Sequence, residues 1–97
     1  MKIGIVKEIK ESEYRVGAVP TAVTELVRRG HEVFVETKAG VGSGFSDEDY
    51  KASGAVICET AEEVWTTVDM IYKVKEIFPE EFKYLRDDLI IFTYIHF

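Results

Sequence analysis

The feature that most constrains the fold is a regular alternation between short apolar runs and short segments with helical periodicity. The apolar runs are predicted strands, and turn residues separate each of them from the helical segment that follows. The five predicted strands are KIGIVK (2–7), EVFVE (32–36), AVIC (55–58), MIYKV (70–74) and LIIFTYI (89–95). Strands joined by helical crossovers run parallel, so the pattern predicts βαβ units.

Capping and breaking residues mark the predicted helices between these strands. Pro20 lies in the first turn of one segment and Gly30 just past its end, and Ser46 and Thr60 each have an acidic residue three positions later, as in a capping box. The four helical segments are PTAVTELVRRG (20–30), SDEDYKASG (46–54), AEEVWTTV (61–68) and PEEFKYL (79–85). We therefore predict a three-layer α/β/α domain, Rossmann-like or flavodoxin-like, around a five-stranded, mainly parallel sheet.

The fifth predicted strand is the most apolar, and no helical segment follows to cover it. An uncovered apolar strand is a site of association. Two explanations remain open. Either a second chain covers the strand, as in a homo-oligomer, or the sequence is the first part of a longer protein whose fold is truncated after strand five.

Charge and hydropathy exclude several classes of partner. The 97 residues carry a formal charge of −6, and no lysine and arginine cluster suits nucleic acid. The longest apolar run, IIFTYIHF, is far shorter than the roughly 20 residues of a membrane span. We therefore expect a cytoplasmic protein with neither nucleic acid nor membrane as a partner. The single cysteine, Cys58, is expected to be a small buried residue without chemistry.

Three basic side chains are predicted at one edge of the sheet. Arg15 lies in the loop after strand one, Lys75 directly follows strand four, and His96 ends strand five. The carboxyl ends of parallel strands form the ligand-binding edge of open α/β sheets. Arginine binds carboxylates with two parallel hydrogen bonds, lysine adds a compact charge, and histidine transfers protons near neutral pH. Together they predict a pocket for a small 2-oxo or 2-amino acid, although each residue alone is more often structural or solvated.

The segment AGVGSGF, with glycines at 40, 42 and 44, imitates a phosphate-binding loop. A dinucleotide fingerprint has the spacing G-x-G-x-x-G and follows the first strand of its unit. This segment has G-x-G-x-G spacing and follows the second strand. It therefore favours a tight turn that leads into the Ser46 cap, and no cofactor-binding or metal-binding residue is predicted.

Four segments, MKIGIVKEIKESEYRVG, GHEVFVETKAGVGSGFSDEDYKASGA, DMIYKVKE and IIFTYIH, resemble the N-terminal part of alanine dehydrogenases. The same domain family includes the nicotinamide nucleotide transhydrogenases and is related to saccharopine dehydrogenases. The resemblance implies that Arg15 binds the substrate carboxylate, that Lys75 contacts the carboxylate or oxo group, and that His96 is the catalytic acid and base. The transhydrogenase branch lacks this histidine, so His96 favours the alanine branch.

The resemblance also implies what the chain lacks. Residues 1–97 would be the N-terminal part of the substrate-binding domain, the NAD-binding domain would be absent, and the chain alone would bind no cofactor and be inactive. The family's substrates are L-alanine and pyruvate, and its strand order is flavodoxin-like. Alternatives are a stand-alone small-acid binding or association module, or a relative of the transhydrogenase or saccharopine dehydrogenase type. One departure from the family is Val19 before Pro20, since valine cannot cap a helix.

Overall fold

A parallel sheet organises the chain. The computed structural model describes residues 1–9 and 14–93. Its strands are β1 (Lys2–Ile5), β2 (Glu32–Glu36), β3 (Val56–Cys58), β4 (Met70–Lys73) and β5 (Ile90–Thr93). Every neighbouring pair is parallel, in the order β3-β2-β1-β4-β5. The predicted five-stranded parallel sheet is confirmed.

The strand order is Rossmann-like and differs from the flavodoxin-like order, 2-1-3-4-5, that the resemblance implies. Strands β2 and β3 are added on one side of β1, and the chain then crosses back to add β4 and β5 on the other side. The winding direction therefore reverses between β1 and β4. In open α/β sheets this switch point, at the carboxyl ends of the strands, is where ligands bind.

Helices on both faces of the sheet bury two apolar clusters. They are α1 (Pro20–Arg28), α2 (Asp47–Ala52) and α3 (Ala61–Thr67). Helices α1 and α2 cover one face, where Val23 and Tyr50 are fully buried beside Val35 of β2. Helix α3 covers the other face, where Trp65 is fully buried beside Ile71 of β4. The predicted three layers are confirmed.

Local details of the prediction hold in most places. Ser46 and Asp49 form the predicted capping box, with the Ser46 amide donating to the Asp49 carboxylate at 2.9 Å and the Asp49 amide donating to the Ser46 hydroxyl at 3.2 Å. At α3, the Glu63 amide donates to the Thr60 hydroxyl at 3.2 Å. The last predicted helix, over 79–85, is instead a short 3₁₀ helix, Pro79–Tyr84.

The fifth strand is covered on one face. Ile91 packs into the cluster under α3, whereas Ile90 and Phe92, which alternate with it, are 49% and 47% exposed. Phe92 stacks on Tyr72 of β4 with ring centroids 4.8 Å apart. The α1 side of β4 and β5 thus presents apolar surface. Residues 94–97, which include the end of the predicted strand and His96, lie outside the described residues.

Candidate functional site

The segment at residues 14–19, which contains Arg15, packs directly against the backbone of β4. Gly17 is the point of closest approach, since a Cβ atom there would lie 2.4 Å from the Tyr72 carbonyl oxygen and 3.2 Å from the Lys73 Cα. Only glycine allows two backbones to come this close. The contact places the segment at the carboxyl end of β4, where the chain continues to Lys75.

Two further contacts hold the same segment from the side of β2 and α2. The Ser43 hydroxyl donates to the Tyr14 carbonyl at 2.6 Å, and a Cβ atom at Gly42 would lie 3.0 Å from that carbonyl oxygen. The buried Tyr50 hydroxyl donates to the Ala18 carbonyl at 2.8 Å. Burial raises the pKa of Tyr50 to about 12, so this phenol remains a donor across the physiological range.

The glycine-rich loop forms the predicted tight turn into α2. The Phe45 amide donates to the Gly40 carbonyl at 2.9 Å, and Gly44 has a left-handed φ of 88°. The close approach that Gly42 permits is used by Tyr14 of the same chain. Within the described residues, this loop therefore does not have the open glycine cradle that a dinucleotide pyrophosphate needs.

Glu8, in the loop after β1, has a buried carboxylate that binds the end of β4. It accepts hydrogen bonds from the Lys73 ammonium at 2.9 Å, the Val74 amide at 3.0 Å and the Lys75 amide at 3.2 Å. A carboxylate excluded from water needs such donors, because its desolvation is otherwise costly. Glu8 therefore ties the loop after β1 to the segment that carries Lys75.

Lys73 is the fully buried partner of Glu8. Besides the Glu8 carboxylate, its ammonium binds the carbonyls of Lys75 and Glu76, each at 3.2 Å. A second carboxylate, Glu81, lies 3.8 Å from the same ammonium. Burial raises the pKa of Glu81, although the Phe78 amide and Lys73 oppose this shift. One ammonium thus faces two buried carboxylates.

Arg15 and Glu8 line a common cleft of about 260 Å³. Ligand pockets for drug-sized molecules start at roughly 300 Å³, so this volume suits a smaller molecule. Lys7 and Lys38, both exposed, also line the cleft. Lys38 has a left-handed φ of 66°, and its amide donates to the Asp47 carboxylate at 2.8 Å. Three basic side chains around a small cleft favour an anionic ligand.

The Asp47 carboxylate supports this wall of the cleft. It accepts the Thr37 hydroxyl at 2.5 Å as well as the Lys38 amide. The Thr37 hydrogen bond is the main reason that the pKa of Asp47 is lowered. The ionised form therefore persists well into the acidic range.

The structure relates two of the three predicted site residues through Glu8. Arg15 lines the cleft with Glu8, and the Lys75 amide is bound by the Glu8 carboxylate. His96 lies outside the described residues, so the convergence of all three side chains stays a prediction.

The sequence-based reasoning missed Glu8 and Lys73. A signal for Lys73 was present, because alternation along β4 places it on the same side as the buried Ile71. A lysine on a buried face requires a carboxylate partner.

Comparison with known proteins establishes the family. Residues 4–97 match the family model described as the alanine dehydrogenase/PNT N-terminal domain. The chain belongs to this family. The resemblance found in the sequence is therefore confirmed.

Members of the alanine dehydrogenase/PNT family match along essentially the whole chain. The alanine dehydrogenase of Geobacillus stearothermophilus is 54% identical over 97 residues, and that of Bacillus subtilis is 49% identical over 96 residues. A solved L-alanine dehydrogenase superimposes with a TM-score of 0.94 at 47% identity and covers 99% of the chain. A transhydrogenase from Sinorhizobium meliloti superimposes with a TM-score of 0.88 at 29% identity and covers 96% of the chain.

The chain spans only part of these family members. It covers 26% of the Geobacillus stearothermophilus relative, 25% of the Bacillus subtilis relative and 26% of each of the two solved chains. Among the helices of the described residues, none has both the length and the apolar character that a membrane span requires. The described ranges also contain no group of three His, Cys, Asp or Glu side chains arranged to hold a metal.

Proposed function

We propose that residues 1–97 form the N-terminal part of the substrate-binding domain of an NAD-dependent alanine dehydrogenase. That enzyme converts L-alanine, NAD and water to pyruvate, ammonia and NADH. The observation that carries the proposal is the difference in similarity between the two branches of the family. Identity to the Geobacillus stearothermophilus alanine dehydrogenase is 54%, against 29% to the transhydrogenase structure.

In this proposal, the basic side chains hold the substrate and move a proton. Arg15 binds the substrate carboxylate with its planar fork, and Lys75 stabilises the negative charge that develops on the substrate oxygen. His96 accepts a proton from the water that attacks the imino carbon. The cleft of about 260 Å³ beside Arg15 is consistent with a three-carbon acid.

The described residues do not fit the nicotinamide cofactor. The turn that could imitate a phosphate loop is occupied by Tyr14, and the following helix α2 has only six residues. NAD binding is therefore assigned to the remainder of the enzyme, and the chain by itself is proposed to lack dehydrogenase activity.

A chimera tests the proposal. The corresponding N-terminal segment of the Geobacillus stearothermophilus alanine dehydrogenase is replaced by this chain, and alanine-dependent NADH formation is followed by absorbance. We expect activity within about tenfold of the parent. Arg15→Ala, Lys75→Ala and His96→Ala should each reduce kcat/KM by at least about 10²-fold, a typical cost of removing an acid, base or charge-stabilising group.

Each outcome of the chimera experiment decides the proposal. An assembled chimera without activity would overturn it, as would three variants with unchanged kinetics. A chimera that fails to assemble would also count against it, because the proposal requires this chain to be interchangeable with the relative's own segment. Glu48→Gln on the exposed face of α2 is the matched control, and it should behave like the unmodified chimera.

A second candidate function is a small-acid binding and association module. The exposed Ile90 and Phe92 favour it, because apolar residues on an uncovered strand are suited to contact with a second copy. Titration calorimetry of the 97-residue chain with pyruvate, together with light scattering, distinguishes the two functions. Tight pyruvate binding by a homo-oligomer would support the module. A monomer without affinity for pyruvate would support the dehydrogenase segment.

A further inference from the structure

We propose that Glu8 is a positioning residue that fixes Lys75 relative to the Arg15 cleft. The inference rests on the proposed function, because it assigns Lys75 to the substrate site. It adds a residue for which neither the sequence pattern nor the predicted rim of basic side chains gave a role.

The two oxygens of the Glu8 carboxylate reach successive donors at the end of β4. Oε1 accepts from the Lys73 ammonium at 2.9 Å and from the Lys75 amide at 3.2 Å, and Oε2 accepts from the Val74 amide at 3.0 Å. Glu8 also lines the cleft beside Arg15. A single carboxylate therefore contacts both the Arg15 cleft and the backbone of Lys75.

The Glu8 and Lys73 pair binds both polar groups of the Lys75 backbone. The Lys75 amide donates to Glu8, and the Lys75 carbonyl accepts from the Lys73 ammonium at 3.2 Å. Strand pairing between β4 and β5 ends at Lys73 and Thr93, so the described ladder does not supply these bonds. Hydrogen bonds to charged groups are about twice as strong as neutral ones. The ion pair replaces the sheet as the anchor of this segment.

A purely stabilising role explains the arrangement less well. A buried ion pair loses the hydration of both charges, and replacing it by apolar residues is often neutral or stabilising. Lys73 and Glu8 have side-chain exposures of 0% and 1%, so this desolvation is nearly complete. What the pair provides is a fixed backbone position for Lys75. A misplacement of about 1 Å at a reacting centre can cost about 10²-fold in rate.

The test compares Glu8→Gln with Glu81→Gln in the chimera. Both substitutions remove a buried carboxylate near Lys73, but in the structure Glu81 bonds the Phe78 amide, whereas Glu8 bonds the Lys75 amide. We expect Glu8→Gln to raise the KM for pyruvate by about tenfold or more, because the amide group that replaces the carboxylate holds Lys75 less firmly. Glu81→Gln should change the melting temperature and leave this KM within about twofold.

A double-mutant cycle shows whether Glu8 acts through Lys75. If it does, Glu8→Gln should have almost no further effect on kcat/KM in a Lys75→Ala background, where residual activity is measured at high enzyme concentration. Equal effects in both backgrounds would overturn the inference, as would a KM change in Glu81→Gln as large as that in Glu8→Gln. If Lys75→Ala and Arg15→Ala retain full activity, the proposed function itself fails. If they lose activity while Glu8→Gln does not, only the positioning role fails.

The paired variant Glu8→Gln with Lys73→Met covers the case in which Glu8→Gln does not fold. It removes both charges, so that neither member of the pair is left buried without its partner. Methionine supplies no donor to the Lys75 carbonyl, so a folded double variant should still show the raised KM. A folded double variant with an unchanged KM would overturn the inference.

Discussion

Replacing Gly17 by alanine should displace the Arg15 segment from the end of β4. The added Cβ would lie 2.4 Å from the Tyr72 carbonyl oxygen, which is 1.0 Å short of the 3.4 Å at which ordinary contact begins. The opposing atoms belong to the backbone of a paired strand and cannot rotate away. The segment at residues 14–19 must therefore move by about 1 Å.

Two effects of different size should follow. Overpacking of this kind costs about 1–3 kcal/mol in the free energy of unfolding. A displacement of about 1 Å at Arg15 should lower kcat/KM for pyruvate by up to about 10²-fold in the chimera. Urea unfolding and steady-state kinetics measure the two effects independently.

Gly4→Ala is the matched control, because it crowds the opposite face of the sheet. A Cβ atom at Gly4 would lie 2.6 Å from the Val64 Cγ1 under α3, away from the Arg15 segment. It should destabilise the fold by a similar amount and leave the KM for pyruvate unchanged. An unfolding midpoint for Gly17→Ala equal to that of the unmodified chain would refute the reasoning, as would equal KM changes in both variants.

Four further predictions concern single side chains. Val19→Ser should raise the free energy of unfolding by about 1 kcal/mol relative to Val19→Ala, because α1 begins without a side-chain cap; equal urea midpoints would contradict this. Tyr50→Phe should lower that free energy by roughly 1–3 kcal/mol, because the Ala18 carbonyl loses its buried donor; an unchanged midpoint would show that the bond is dispensable. Burial, with a smaller contribution from the charge of Glu63, raises the pKa of the Cys58 thiol, so a thiol reagent should react much faster in urea than with the native chain; equal rates would argue against burial. Burial also raises the pKa of Glu81 above 4.5 in the folded state, which then binds more protons than the unfolded chain. The contribution of Glu81 is therefore fully present below pH 4.5 and is lost as the pH rises through the folded-state pKa. Glu81→Gln should flatten this dependence in urea titrations at several pH values, and an unchanged slope would be inconsistent with it.

Local pattern predicted strands well where local residues determine their ends. Strand β2 occupies the predicted residues 32–36, between a glycine turn and the glycine-rich loop. Strand β1 was predicted to reach residue 7 but ends at Ile5, and the Lys7 amide donates to the Glu36 carboxylate, 29 positions away. Strand β4 ends at Lys73, and the Val74 amide donates to the Glu8 carboxylate, 66 positions away. Periodicity cannot reveal side-chain acceptors so distant in the sequence.

The candidate site was partly visible in the sequence for a similar reason. Arg15 and Lys75 were found because they follow predicted strands, and parallel strands share one ligand-binding edge. Glu8 follows β1 in the same way, but an isolated acidic residue resembles any solvated one until its donors are known. Nor does periodicity fix strand order, which depends on the side of β1 to which the chain returns.

The position of β1 in the middle of the sheet has a consequence for synthesis on the ribosome. The first strand to emerge needs β2 on one edge and β4 on the other. Met70 lies 65 positions after Ile5, so at about 5–20 residues per second the second edge stays unpaired for about 3–13 s. During that interval the nascent chain presents an incomplete sheet, and a chaperone that binds extended apolar segments would find β1 accessible.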